Sequence, residues 1–274
     1  MPAFTEISVT QLFRRIGLPD SPVLIDVCIP EDIATDPHLI PGAIRIPHTQ
    51  ILAAAPQLVG QHVVVYCHKG LKLSQGAAAI LRSANVSAES LEGGRVAWRG
   101  AGLPMVPIAS IPPVHANGET LWVTRHRPKI DRIACPWLIR RFVDRHARFL
   151  YVTPGEVLSV AERFNATPFD IDDVPFSHQG AECSFDTMVK VFGLSHPPLE
   201  VLATIIRGAD TNRHDLAPEA AGLLAIALGQ SRMYRDDLAQ LEAGLTVYDA
   251  LYRWARDAQG EGHDWPATTA GGGK

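Results

Sequence analysis

The sequence predicts an α/β first half, a parallel sheet flanked by helices, joined to a helix-rich α+β second half. Three observations carry this. Short apolar runs alternate with helical periods in the first hundred or so positions. A proline-rich stretch without a helical period, "GLPMVPIASIPPVHANGET" (102–120), then interrupts the chain. From Leu121 onward amphipathic helical patterns dominate. At about 150 residues per domain, 274 residues make two domains. We place the first at 1–107, a linker at 108–120, the second at 121–258, and a tail at 259–274 that is expected to be disordered.

The elements follow in order. "VLIDV" (23–27) reads as a buried strand ending in an acid, and "AIRIP" (43–47) as a strand after a Pro-Gly turn. "HVVVY" (62–66) is a third strand and "SAESL" (87–91) a fourth. Leu73, Ala77, Ile80, Leu81 and Ala84 recur at helical spacing between those two. In the second half "LWVTRH" (121–126) and "RFLYVT" (148–153) read as strands. Ile130, Ala134, Trp137, Leu138 and Phe142 mark an amphipathic helix between them, with Trp137 in the core. Thr153, Pro154 and Glu156 predict a capping-box start for the next helix. Further helices are expected at 185–192, 199–207, 218–228 and about 233–256, with Ser184 as an N-cap and Gly193 and Gly229 as stops.

Composition narrows the function. A net charge of −4 offers nucleic acid no basic field. There is no apolar run near the roughly 18 residues that span a bilayer, and the opening residues lack a secretory signal. Cys28, Cys67, Cys135 and Cys183 are scattered with no CxxC pair, so we expect a reducing cytoplasm and no membrane or nucleic-acid partner.

The candidate chemistry begins at "VVVYCHKGLKLSQGAAAIL" (63–81), where a cysteine ends a strand and a helix follows at once. Unpaired amides and partial positive charge at a helix start make an anion cradle. A thiol placed there attacks as the thiolate. Gly70 allows the tight turn, and Lys69 and Lys72 add charge. A buried structural cysteine is the competing reading.

The stretches "VLIDV", "IPGAIRIP", "VVVYCHKGLKLS" and "LEGGRVAWRGAGLPM" resemble a rhodanese domain in order and spacing, over roughly residues 5–107. The resemblance implies a parallel α/β fold and a persulfide carried on Cys67. The loop Cys67, His68, Lys69, Gly70, Leu71, Lys72 would then be the sulfur cradle. It also implies a small sulfur donor, thiosulfate or mercaptopyruvate, a thiol acceptor, and no cofactor for the transfer. The sequence departs from that pattern in three places. Lys72 stands where the loop often ends in arginine, Cys28 where arginine usually follows "LIDV", and Leu39 where histidine is expected. Lysine lacks the bidentate guanidinium fork, which weakens the expectation of efficient turnover with thiosulfate. Cys28 is either a resolving thiol or a small buried residue. Asp26 either orients the loop or caps its own strand.

In the second half "LWVTRHRPKIDRIACPWLIRRFVD", "FSHQGAECSFDTMVKVFGL" and "IIRGADT" resemble the C-terminal domain of the chromate-resistance protein family. That resemblance implies chromate or oxidative stress, without a defined reaction. His178, Glu182 and a returning Asp210 could hold a divalent transition metal, with Asp186 complementing a helix start instead. The alternative is a His178 bonded to backbone. Arg132 and Arg140 could receive chromate or another oxyanion, or form a solvated basic face with Asp131 and Cys135 packed inward. The expected function is a sulfurtransferase linked to chromate or oxidative-stress resistance. The alternative is a chromate-stress sensor, or a metal-dependent redox enzyme with the first half as accessory.

Overall fold

The computed structural model describes residues 5–116 and 118–262. The first half runs β1 (Glu6–Ile7), α1 (Val9–Phe13), β2 (Val23–Asp26), α2 (Pro30–Thr35), β3 (His38–Leu39) and β4 (Ala43–Arg45). It continues with α3 (Ile51–Leu58), β5 (His62–Tyr66), α4 (Lys72–Ser83), β6 (Ser87–Leu91), α5 (Gly94–Gly100) and β7 (Val106–Pro107). Five of these strands form one parallel sheet in the order β1-β6-β5-β2-β4. The short β3 and β7 pair antiparallel beside it.

All four strands expected in the first half are in the large sheet. The runs of β2 and β5 are continuously apolar because a parallel sheet is covered on both faces. Val63 and Val65 belong to one buried cluster with Ile25, Ala77 and Leu81, whereas Val64 and Tyr66 belong to another. The central strand, β5, delivers Cys67 to the carboxyl edge of the sheet, where ligands of open α/β sheets bind.

The second half contains β8 (Leu121–Arg125), α6 (Ile130–Phe142), β9 (Arg148–Val152), α7 (Val157–Phe164) and β10 (Thr167–Pro168). The helices α8 (Ser184–Val191), α9 (Pro197–Asp210), α10 (Glu219–Met233) and α11 (Asp237–Asp257) follow. The three strands form a parallel sheet in the order β10-β8-β9.

Several expected boundaries are corrected. Gly229 does not stop a helix, because α10 runs through it to Met233. Thr153 caps a 3-10 turn without a side-chain bond, so the expected capping box does not form there. The N-cap of α8 is Cys183, one residue before Ser184, and its amide donates to Asp186 Oδ2 at 3.0 Å. Gly193 follows α8 in the left-handed region, as expected of a stop. The expected disordered tail lies, from residue 263, outside the described residues.

One apolar cluster joins the two halves. Leu12, Ile16 and Trp98 from the first pack in it with Trp137, Phe142 and Phe192 from the second. The Gly42 amide donates to Phe142 O, and the Phe13 ring lies edge-on to His196.

Candidate active site

The loop between β5 and α4 holds Cys67, buried at 5 % exposure, with His68 half-buried and Lys69 and Lys72 exposed. Cys67 Sγ lies 3.3 Å from Ser74 Oγ, in the first turn of α4. The Ser74 hydroxyl also lies 3.2 Å from Leu71 O. Among the described residues the amides of His68, Lys69, Gly70, Leu71 and Lys72 donate no hydrogen bond within the protein. Those N–H groups, with the start of α4, remain available to an anion at the thiol.

The loop is held from outside by the start of α5. The Arg95 amide donates to Cys67 O and the Val96 amide to His68 O, both at 3.0 Å. Gly70 and Gly94 both have positive φ, and a Cβ on Gly94 would stand 2.2 Å from Cys67 O. Two glycines back to back are what let the loop and α5 approach so closely.

Arg95 is buried at 1 % exposure and donates to the carbonyls of Asp32, Asp36 and His38. It therefore ties the α2–β3 segment to the loop, and its Nη2 comes within 3.5 Å of His68 Nδ1. Neither Ser74 nor Arg95 was among the expected site residues. Both lie inside motifs that were read for other residues, "CHKGLKLS" and "LEGGRVAW".

Asp26 bonds the end of its own strand. Its Oδ1 accepts from the Cys28 amide at 2.7 Å, which is the strand-capping alternative, and burial pushes its carboxyl up. Cys28 is also buried, and burial together with the Asp26 charge pushes its thiol well up. A thiol so held is a poor nucleophile, which favours the buried-residue reading of Cys28.

The second half gathers a different set. His178 Nε2 lies 3.2 Å from Asp210 Oδ2 and 3.6 Å from one oxygen each of Asp131 and Asp170. Asp131 comes from the first turn of α6, Asp170 from just after β10, His178 from the loop before α8, and Asp210 from the end of α9. Asp170 Oδ1 accepts from the Ser184 hydroxyl, while Oδ2 meets Arg125 at 3.1 Å and Arg132 at 3.3 Å. Asp131 Oδ2 accepts from the amides of Ser184 and Phe185 at the start of α8. Bonding to Asp170 and then Asp210 raises the His178 pKa to about 10. Burial, and then the charges of Asp210 and Asp170, push the Asp131 carboxyl well up.

Glu182 does not join this set. It forms a two-oxygen ion pair with Lys190 on α8. The loop turns at Gly180, which has positive φ, so the two positions do not share a helical face. Asp131 and Asp170 take its place, and only Asp210 and His178 of the expected ligands meet. Asp131, expected to pack inward with Cys135, is buried but faces this polar cluster. The expected oxyanion contacts are engaged elsewhere. Arg140 pairs with Glu242 at 2.6 Å and lies over the Phe149 ring. Arg132 binds Asp170 and the carbonyls of Arg125 and His126.

Comparison with known proteins agrees with both resemblances. Residues 8–101 match the rhodanese-like domain family, and residues 122–255 match the ChrB C-terminal domain family. The chain therefore joins a rhodanese-like domain to a domain of the chromate-resistance family. Among curated relatives, the protein ChrB of Cupriavidus metallidurans is 38 % identical over 133 residues, 48 % of this chain and 39 % of its own length. A sulfurtransferase of Allochromatium vinosum is 29 % identical over 102 residues, 37 % of this chain and 94 % of its own. The chain thus spans well under half of the ChrB protein it matches. Of solved structures, a rhodanese-related protein of Thermoplasma volcanium aligns at 22 % identity and TM-score 0.33, over 38 % of this chain and 98 % of that one. A rhodanese-like domain protein of Staphylococcus aureus aligns at 26 % and 0.31, over 35 % and 91 %.

Proposed function

We propose that the first half is a sulfurtransferase that carries a persulfide on Cys67. The observation that carries this reading is the ring of undonated amides from His68 to Lys72 around a thiol at the end of the central strand. The Cys67 thiolate attacks the outer sulfur of thiosulfate. The donor's S–S bond breaks, sulfite leaves with that electron pair, and Cys67 holds the persulfide. The loop amides and the α4 terminus balance the negative charge of thiolate and persulfide in turn. Ser74 supports the same step. Its hydroxyl is placed to turn from Leu71 O and donate to the sulfur anion. An acceptor thiolate, or cyanide in the assay, then attacks the outer sulfur and returns Cys67 as thiolate.

The relative named a sulfurtransferase covers this half almost end to end, which supports the activity. The second half supports a role in chromate or oxidative-stress resistance through its family. A sensor role, with the first half as accessory, is the competing reading. Thiocyanate formation from thiosulfate and cyanide tests the proposal. Wild type is expected to turn over, and Cys67→Ser to fall to the uncatalysed rate. Full activity in Cys67→Ser would remove Cys67 from the chemistry.

A further inference from the structure

We infer that Asp131, Asp170, His178 and Asp210 form a binding site for one divalent first-row transition ion in the second half. Potential ligand atoms of Asp131, Asp170 and His178 all lie within 4.8 Å of one another, and Asp210 Oδ2 stands 3.2 Å from His178 Nε2. A second observation is independent of this crowding. The Asp131 carboxylate is 1 % exposed, and its Oδ1 has no hydrogen-bond partner among the described residues. A buried carboxylate oxygen left without a partner costs free energy unless a cation or proton meets it.

The surrounding bonds divide the oxygens into two groups. The amides of α8 hold Asp131 Oδ2, and Arg125 and Arg132 hold Asp170 Oδ2. Those contacts fix the two carboxylates with Asp131 Oδ2 and Asp170 Oδ1 each 3.6 Å from His178 Nε2, and they leave Asp131 Oδ1 without a partner among the described residues. Such outer contacts are what orient metal ligands. The four ligands come from four separate segments, α6, the turn after β10, the loop before α8 and the end of α9. A bound ion would therefore pin the second half together.

The donor chemistry selects the ion. Three carboxylates and one imidazole suit Mn²⁺, Fe²⁺ or Zn²⁺, and the set has no thiolate to favour a softer ion. Cys135 and Cys183 are buried nearby, and burial keeps their thiols protonated. The imidazole binds as the neutral base, so the ion replaces the proton that the carboxylates otherwise hold on His178.

The full chain, stripped with chelator and dialysed against Mn²⁺ or Zn²⁺, tests the site. Close to one equivalent of at least one ion per chain is expected, with a raised thermal midpoint. Asp131→Asn would also disturb the start of α8, so Asp210→Asn and His178→Ala carry the test. Each should weaken binding by about tenfold or more while the metal-free far-UV spectrum is unchanged. Glu182→Ala should bind like wild type. Less than about a tenth of an equivalent of both ions on wild type would overturn the site. So would unchanged affinity in both variants, or an equal loss in Glu182→Ala.

Discussion

Lys72 is the first residue of α4 and is exposed at the rim of the Cys67 loop. An ammonium there attracts an anionic donor as a point charge, without the two-pronged fit of a guanidinium. Lys72→Ala should therefore raise KM for thiosulfate severalfold with a smaller change in kcat, because ground-state binding is what it loses. Lys72→Arg should recover or exceed the wild-type kcat/KM. Steady-state kinetics over a range of thiosulfate concentrations measures both, and identical KM values in all three proteins would contradict the role. Ser74 makes a separate prediction. Ser74→Ala leaves the sulfur anion one donor short, so kcat should fall by about a hundredfold, the lower end of what loss of one anion-stabilising donor costs elsewhere. At this scale the sequence was legible for the loop from Cys67 to Lys72, which one motif contains, but not for Ser74 and Arg95, which support it from α4 and α5. It was not legible for Asp131 and Asp170. These lie far from His178 in the chain, and only the packing of α6 against α8 and the turn after β10 brings them together.

Element boundaries follow local chemistry where that chemistry is strong. The valine-rich β5 was plain from composition, whereas β1 and the β3–β7 pair are two residues long and carry no period. Gly229 misled because a helix can carry an exposed glycine at a cost of only about 1 kcal/mol. Two glycines of the first half make the same distinction testable. Gly94→Ala places a methyl 2.2 Å from Cys67 O and 2.3 Å from Gly70 N at a positive φ. It should push the loop off α5, cost about 1–3 kcal/mol and abolish thiocyanate formation. Gly76, inside α4, meets nothing within 4 Å of an added Cβ. Gly76→Ala should keep full activity and gain about 0.5–1 kcal/mol. Urea unfolding and the same assay report both outcomes. Equal behaviour of the two variants would mean that the Gly70–Gly94 contact does not shape the loop.

Across the whole molecule the halves share an apolar cluster that sequence patterns could not reveal, since a helix face covered by another domain reads like any core face. His196 sits in that junction, against the rings of Phe13, Phe142 and Tyr252. Its Nδ1 donates to Leu194 O, and the Tyr252 hydroxyl meets Nε2 at 3.2 Å, which fits the neutral ring. Burial lowers its pKa; the Leu194 carbonyl and Glu200 oppose this, and Arg256 adds to it. The unfolded chain therefore takes up the proton first, and stability falls as pH drops below about 6.5. Urea midpoints at pH 7.5 and 5.5 should differ more for wild type than for His196→Gln, and an equal shift in both would exclude His196 as the cause.

The account rests above all on sulfur being carried by Cys67. Peptide mass spectrometry of the full chain after incubation with thiosulfate and removal of excess donor measures this directly. The expected result is a gain of about 32 mass units on the peptide containing Cys67, lost on treatment with cyanide and absent in Cys67→Ser. An unmodified Cys67, or the same gain on Cys28, Cys135 or Cys183 instead, would contradict it.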